Sequence, residues 1–186
     1  MEDLRIREIL DGNTSKFSCF VIEYKDMAYS VAFRIVNNRE EAEEIVQDSF
    51  IRAFRSLHKF RKDSKFSTWF YRIVVNRALS VRKKRKEVDE IDIDRISDTN
   101  VGQIESAYSD LDKTDREKYI NLALGRLSEE DSLILTLYYL NENSVEEVSV
   151  ITGIKPENVK MRLARARKKM FFVLEKILNR ELKSLI

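Results

Sequence analysis

A chain of 186 residues with an apolar fraction of 43% has room for one globular domain or two small ones. One proline and four glycines leave too little turn chemistry for a β-sandwich or barrel, so an all-α fold is expected. The lone His58 and lone Cys19 exclude a His/Cys metal cluster and an internal disulfide, and the formal net charge of +2 conceals a strongly uneven distribution.

In chain order, Leu4 to Leu10 reads as a short amphipathic helix stopped near Asp11-Gly12-Asn13. A second helix is expected from about Lys16 to Val36, with Phe17, Phe20, Val21, Tyr24, Met27, Ala28, Val31 and Ile35 at helical spacing. Asn37-Asn38 breaks it, and Asn38 can cap a third helix, Arg39 to Leu57. That helix opens on Glu40, Glu41, Glu43 and Glu44, which favour the positive end of its dipole. Arg61 to Lys65 is a polar loop with Asp63 or Ser64 as the cap of a fourth helix, Phe66 to Lys86. This helix is apolar on more than one side, so it packs on several neighbours or lends a face to a partner. The segment 88–115 loses periodicity and reads as a linker, part helical near Ile104 to Leu111. Two domains are therefore expected, 1–87 and 116–186, able to move relative to each other. In the second, helices are expected at Tyr119 to Leu127, from Ser128 through Leu140, at Val145 to Thr152, and from Pro156 to Leu178 or beyond. Ser128 with Asp131 and Ser144 with Glu147 resemble capping boxes.

Charge follows the same partition. Between Arg52 and Lys86 there are 13 Lys or Arg and one acid, Asp63. Val88 to Lys118 holds ten acids against four bases, and Lys155 to Lys176 returns eight bases against two acids. Concentrated cations are an electrostatic footprint for phosphate, and aromatics among them can hold unstacked bases. A solvated basic helix over an aromatic core would look the same locally. Two such blocks flanking an acidic linker point to two nucleic-acid-facing modules.

The second block has the shape of a helix-turn-helix: a short helix, Gly153 at the turn, and a longer basic helix opened by Pro156. Val145, Val148, Ile151, Ile154, Val159 and Leu163 suit its core. With Val159, Leu163, Ala166 and Met170 turned inward, Met161, Ala164, Arg165 and Lys168 point away at roughly 100° per residue. Outward residues near the helix start can reach base edges, Arg165 as a bidentate partner for guanine. The flanking Lys160, Arg162, Arg167 and Lys169 suit phosphates.

With those residues in view, the chain resembles the extracytoplasmic-function class of bacterial RNA polymerase sigma factors, in the sigma-70 family. Asn38 to Phe54 (NREEAEEIVQDSFIRAF) is similar to its polymerase-binding segment, Phe60 to Ala78 to its minus-ten segment, and Ser144 to Met170 to its minus-thirty-five segment. The resemblance implies that Glu43, Gln47 and Asp48 dock on core RNA polymerase. It implies a base-capturing loop of Phe60, Arg61, Lys62, Asp63, Ser64, Lys65 and Phe66, with Trp69, Arg72 and Asn76 on the following helix facing the opened strand. It also implies that Asn158, Lys160, Met161, Arg162, Ala164, Arg165 and Lys168 meet the minus-thirty-five duplex. Two departures stand out: Lys62 where glycine is common, and Ala164 where a bulkier side chain often sits.

The expected partners are core polymerase, promoter DNA and, as is common in the family, an anti-sigma factor. The free chain is expected to be monomeric and cytoplasmic, with no membrane insertion and no signal-like N-terminus. No phosphate-cradling glycine loop, metal spacing or nucleophile-base pair is present, so neither enzymatic activity nor a cofactor is expected. The competing readings are a stand-alone helix-turn-helix regulator and a protein-binding helical scaffold. Gln47-Asp48 and the Phe60 to Phe66 loop are features a plain repressor would not need.

Overall fold

The computed structural model describes the backbone of residues 2–89 and 115–184, and the side chains of 2–85 and 117–179. The expected linker, with its helical stretch near Ile104 to Leu111, lies almost wholly outside the described residues. Within them the regular structure is helical: α1 (Glu2–Leu10), α2 (Phe17–Val36), α3 (Arg39–Ser56), α4 (Phe66–Asp89), α5 (Asp115–Gly125), α6 (Glu129–Leu135), α7 (Val145–Thr152) and α8 (Pro156–Ser184). Short 3₁₀ turns at Thr14–Lys16 and Leu57–Lys59 lead into α2 and out of α3.

The breaks between these helices have local causes. Asn37 ends α2 in the left-handed conformation (φ 49°), its N–H donating to the Phe33 carbonyl at 2.8 Å. Asn38 then accepts from the Glu41 N–H at 3.0 Å and caps α3. The expected helix through Leu140 is α only to Leu135. Thr136–Leu140 forms a π-helical turn, closed by Asn141 N–H to the Thr136 carbonyl at 3.0 Å. Buried Asn143 holds the turn by donating to the Leu137 carbonyl through both its backbone N–H and its side-chain amide.

α2, α3 and α4 form one bundle around an aromatic core. Phe66 stacks on Phe20 at 4.2 Å between ring centroids, and Phe50 on Phe70 at 4.4 Å. Burial holds the Tyr24 and Tyr71 hydroxyls protonated, well above the ordinary tyrosine pKa, with Glu2 and Glu23 adding to the shift. In the second bundle α8 packs on α5, α6 and α7, burying Val159, Leu163 and Ala166. The two bundles touch. α7 lies along α4 and α6 along α2, and Ile35, Val75 and Leu79 meet Leu133, Ile134 and Ile154 around a cleft of about 210 Å³. Polar contacts cross the same boundary. Buried Arg34 donates to Asn121 at 2.7 Å, Lys65 pairs with Glu147 at 3.0 Å, and Arg82 pairs with Glu129.

Candidate nucleic-acid interface

The loop between α3 and α4 turns at a residue in the left-handed conformation. Lys62 adopts φ 63°, a left-handed conformation that costs a residue with a Cβ about 1–2 kcal/mol and glycine little. Lys62 also pairs with Asp3 of α1 at 3.1 Å. A cleft of about 310 Å³ opens beside it, lined by Glu2, Asp3, Phe60, Lys62, Ser64 and Lys65. Phe60 and Trp69 are half-buried with centroids 5.3 Å apart, so each keeps part of a ring in solvent. Phe66 is different: it is wholly buried and belongs to the core, so it holds the loop's end rather than offering a face. Neither Asp63 nor Ser64 caps α4. The Ser64 hydroxyl donates to the Lys65 carbonyl at 3.3 Å, and that same carbonyl takes the Trp69 N–H.

On α4 the expected strand-facing residues Arg72 and Asn76 are exposed, while Thr68, one turn before Arg72, is buried with its hydroxyl 3.5 Å from Glu147. On α3, Gln47 and Glu43 are exposed, Glu43 pairing with Arg39 at 3.2 Å. Asp48 is engaged: its Oδ2 accepts from Arg52 at 3.1 Å and lies 2.5 Å from Arg77 Nε. The Arg77 N–H does not point along that short approach, so the contact is one of charge without an aligned hydrogen bond.

In the second bundle the helix-turn-helix forms as expected. Ser144 and Glu147 exchange both bonds of a capping box, at 3.1 and 2.8 Å, and Gly153 ends α7 at φ 74°. Asn158, Lys160, Met161, Ala164, Arg165 and Lys168 are exposed on α8. Arg165 makes no hydrogen bond or ion pair to another described residue, so its five donors face solvent. Arg162 is placed otherwise. It is half-buried, pairs with Glu130 and lines the cleft between the bundles. Arg167 reaches the Tyr139 hydroxyl at 3.3 Å and Lys169 the Asp131 carboxylate at 2.6 Å. Burial would raise Asp131, but hydrogen bonds from Lys169 and Ser128 outweigh it and hold the carboxyl below its usual value.

The Sigma-70 region 2 family matches residues 20–88, and the Sigma-70, region 4 family matches residues 117–170. The RNA polymerase sigma factor SigV of Bacillus subtilis is 31% identical, over 84% of this chain and 89% of its own length. The ECF RNA polymerase sigma factor SigW of the same species is 29% identical, over 88% and 91%. Among solved structures, the sigma factor RpoE of Bartonella quintana, in complex with the anti-sigma factor NepR, matches with a TM-score of 0.67. It is 24% identical and the match covers 86% of this chain and 96% of that one. CnrH in complex with the cytosolic domain of CnrY matches at 0.66 with 19% identity, covering 94% and 97%. Both support the fold alone. The chain belongs to the sigma-70 family of RNA polymerase sigma factors, in the ECF class.

Several residues of the interface escaped the sequence reading. Thr68, Arg82 and Glu129 join the bundles, Glu147 does so besides capping α7, and no periodicity marks a contact 79 positions apart such as Thr68–Glu147. Arg52 and Arg77 converge on Asp48; the i,i+4 spacing of Asp48 and Arg52 was the one available signal.

Proposed function

We propose that this chain binds core RNA polymerase and carries it to promoter DNA. The first bundle holds the non-template strand opened at the minus-ten element, while α8 reads the minus-thirty-five duplex. The observation that carries this reading is the pairing, in one sigma-family chain, of a solvent-facing recognition helix with a loop cleft walled by half-exposed Phe60 and by Lys62, Ser64 and Lys65. The work is done by binding. Extruding a base costs a few kcal/mol, and stacking on an aromatic side chain returns about 1–3 kcal/mol per base. Gln47 and Glu43 form the exposed part of the polymerase-docking face, and Asp48 joins it by exchanging an intramolecular partner.

Elements centred near positions minus ten and minus thirty-five lie about 25 base pairs apart, or roughly 80 Å of B-DNA. On this reading the contacts of α7 with α4 and of α6 with α2 belong to the free chain and are released on the promoter. An anti-sigma protein is a third partner in this reading. Exposed Phe171 and Phe172 beside the apolar cleft of Leu124, Leu135, Leu140 and Leu174 offer such a protein surface to cover. The described helices include none long and apolar enough to cross a membrane.

Run-off transcription with core polymerase and promoter fragments tests the reading. Transcripts are expected only when chain and core are both present. A chain that shifts duplex promoter DNA alone and supports no transcript would establish the stand-alone regulator instead. Permanganate reactivity of unpaired thymines tests the loop: changing Lys62, Asp63 and Ser64 should alter the preferred downstream base while upstream duplex binding stays the same. Asn76→Ala should slow opening more than it weakens the closed complex.

A further inference from the structure

The family match to region 2 begins at residue 20, so α1 lies outside it. α1 is nevertheless fixed beside the loop between α3 and α4. Ile6 and Ile9 are buried in the core, and Arg5 pairs with Glu23 of α2 at 3.0 Å. The helix also touches the 3₁₀ turn Leu57–Lys59, from which the loop departs. Its first turn reaches the loop cleft, where Glu2 and Asp3 join Phe60, Lys62, Ser64 and Lys65 in the lining.

The chemistry of this cleft is mixed. Two carboxylates balance two ammonium groups, together with one hydroxyl and the half-exposed Phe60 ring. Lys65 is engaged by Glu147 of α7 while the bundles touch, and it returns to the cleft when α7 leaves α4. A phosphate gains little from a lining of balanced charge. A neutral heterocycle with donors and acceptors on one edge can use both kinds of group. Each carboxylate is held through one oxygen. Glu2 Oε1 accepts from the Tyr24 hydroxyl at 3.3 Å, and Asp3 Oδ1 meets the Lys62 ammonium at 3.1 Å. Their second oxygens have no partner among the described residues.

We propose that Glu2 and Asp3 of α1 are specificity-determining residues of the capture cleft: they accept the exocyclic amino group of the captured base and so favour cytosine over thymine. The inference rests on the base-capture reading above and deepens it. The two pyrimidines stack on an aromatic face in the same way, so Phe60 does not tell them apart. Their edges do. Cytosine carries an N4 amino donor where thymine carries the O4 acceptor. The amino group has two hydrogens for two carboxylates, and the Lys62 ammonium beside Asp3 can donate to the neighbouring ring nitrogen. Thymine offers a single N–H, so one carboxylate is left facing a carbonyl oxygen. An acceptor set against an acceptor in a half-buried cleft works against binding.

The test uses the full chain with core polymerase and a promoter duplex pre-opened over the minus-ten region. The position whose base the loop variants set carries cytosine, thymine or 2-pyrimidinone, which is cytosine without its amino group. Wild-type chain should bind the cytosine template about 5- to 30-fold more tightly than either of the others. The double variant Glu2→Ala, Asp3→Ala should bind all three within about 2-fold of one another. It keeps Ile6 and Ile9, which anchor α1. A role confined to the shape of the loop would weaken all three templates alike and leave their ratio intact. Equal wild-type binding of cytosine and 2-pyrimidinone would overturn the proposal, and so would an unchanged ratio in the double variant. If the double variant does not fold, Glu2→Ala alone decides. It leaves the Asp3–Lys62 pair in place and must at least halve the ratio. A base preference that responds to changes at Lys62, Asp63 and Ser64 but not at Glu2 and Asp3 removes the role of α1 alone. A preference that responds to neither removes the base-capture reading itself.

Discussion

Lys62 sits in a backbone conformation that glycine takes freely and lysine does not. Lys62→Gly relieves a left-handed cost of about 1–2 kcal/mol but frees the unfolded chain, an offset of roughly 0.4–1 kcal/mol. The exposed pair with Asp3 contributes little. A net gain of up to about 1 kcal/mol is expected in urea unfolding; a clear loss of stability would mean that the lysine contacts outweigh the strain. The arginines of α8 also divide at this scale. Arg165 faces solvent unpaired, so Arg165→Ala should cost about 1–3 kcal/mol and relax discrimination at one base pair. Arg167 rests on the Tyr139 hydroxyl, and its alanine variant should weaken all sequences alike, lowering the salt slope by about one. Titrations on matched and mismatched duplexes with polymerase present separate the two. Uniform loss from both variants would reject the orientation assigned to α8.

At the level of single elements, boundaries marked by caps were legible and boundaries set by packing were not. Asn38, Ser128, Ser144 and Gly153 act where their side chains or backbone freedom predict, because a cap joins groups three or four residues apart. The π-helical turn at Thr136–Leu140 was not legible: TLYYL has ordinary helical residues, and the change of hydrogen-bond register depends on buried Asn143 reaching back to Leu137. Ser144→Ala removes one half of the capping box of α7. It should destabilise the chain by about 1 kcal/mol, read as a lower urea midpoint with an unchanged slope. An unaffected midpoint would show that Glu147 holds the helix start without its partner.

For the whole molecule Glu147 joins two roles: it caps α7 with one oxygen and meets Lys65 and Thr68 across the boundary with the other. Burial pushes its carboxyl up, but the Ser144 N–H and the Lys65 ammonium outweigh that and hold it below its usual value of 4.5. A carboxyl lowered by folding stabilises the closed arrangement above that value, and the stabilisation is lost as pH falls through its lower folded value. Acidification through that lower folded value should therefore weaken the bundle boundary by the share of the shift that Lys65 supplies, seen as a larger radius in small-angle scattering. Glu147→Gln should flatten that dependence. A radius unchanged by acid, with helical content intact, would show that the apolar contact of Val75 and Leu79 with Ile134 and Ile154 closes the molecule without the ion pair.

The class of fold, the helix-turn-helix and the two cationic blocks were determined by the sequence alone. Helical periodicity, capping and charge density are short-range properties, carried by residues within a turn or two of one another. What tertiary structure decided is which cations are available. Arg162 and Arg165 are equally basic in sequence, yet one is drawn to Glu130 at the bundle boundary and the other faces solvent. Phe60 and Phe66 bracket one loop, yet Phe66 is buried in the core while Phe60 remains half-exposed. Arg52, Arg55 and Arg77 line one cleft only because α3 and α4 pack side by side. Burial and pairing depend on neighbours distant in the chain, and those neighbours are supplied only by the packed fold.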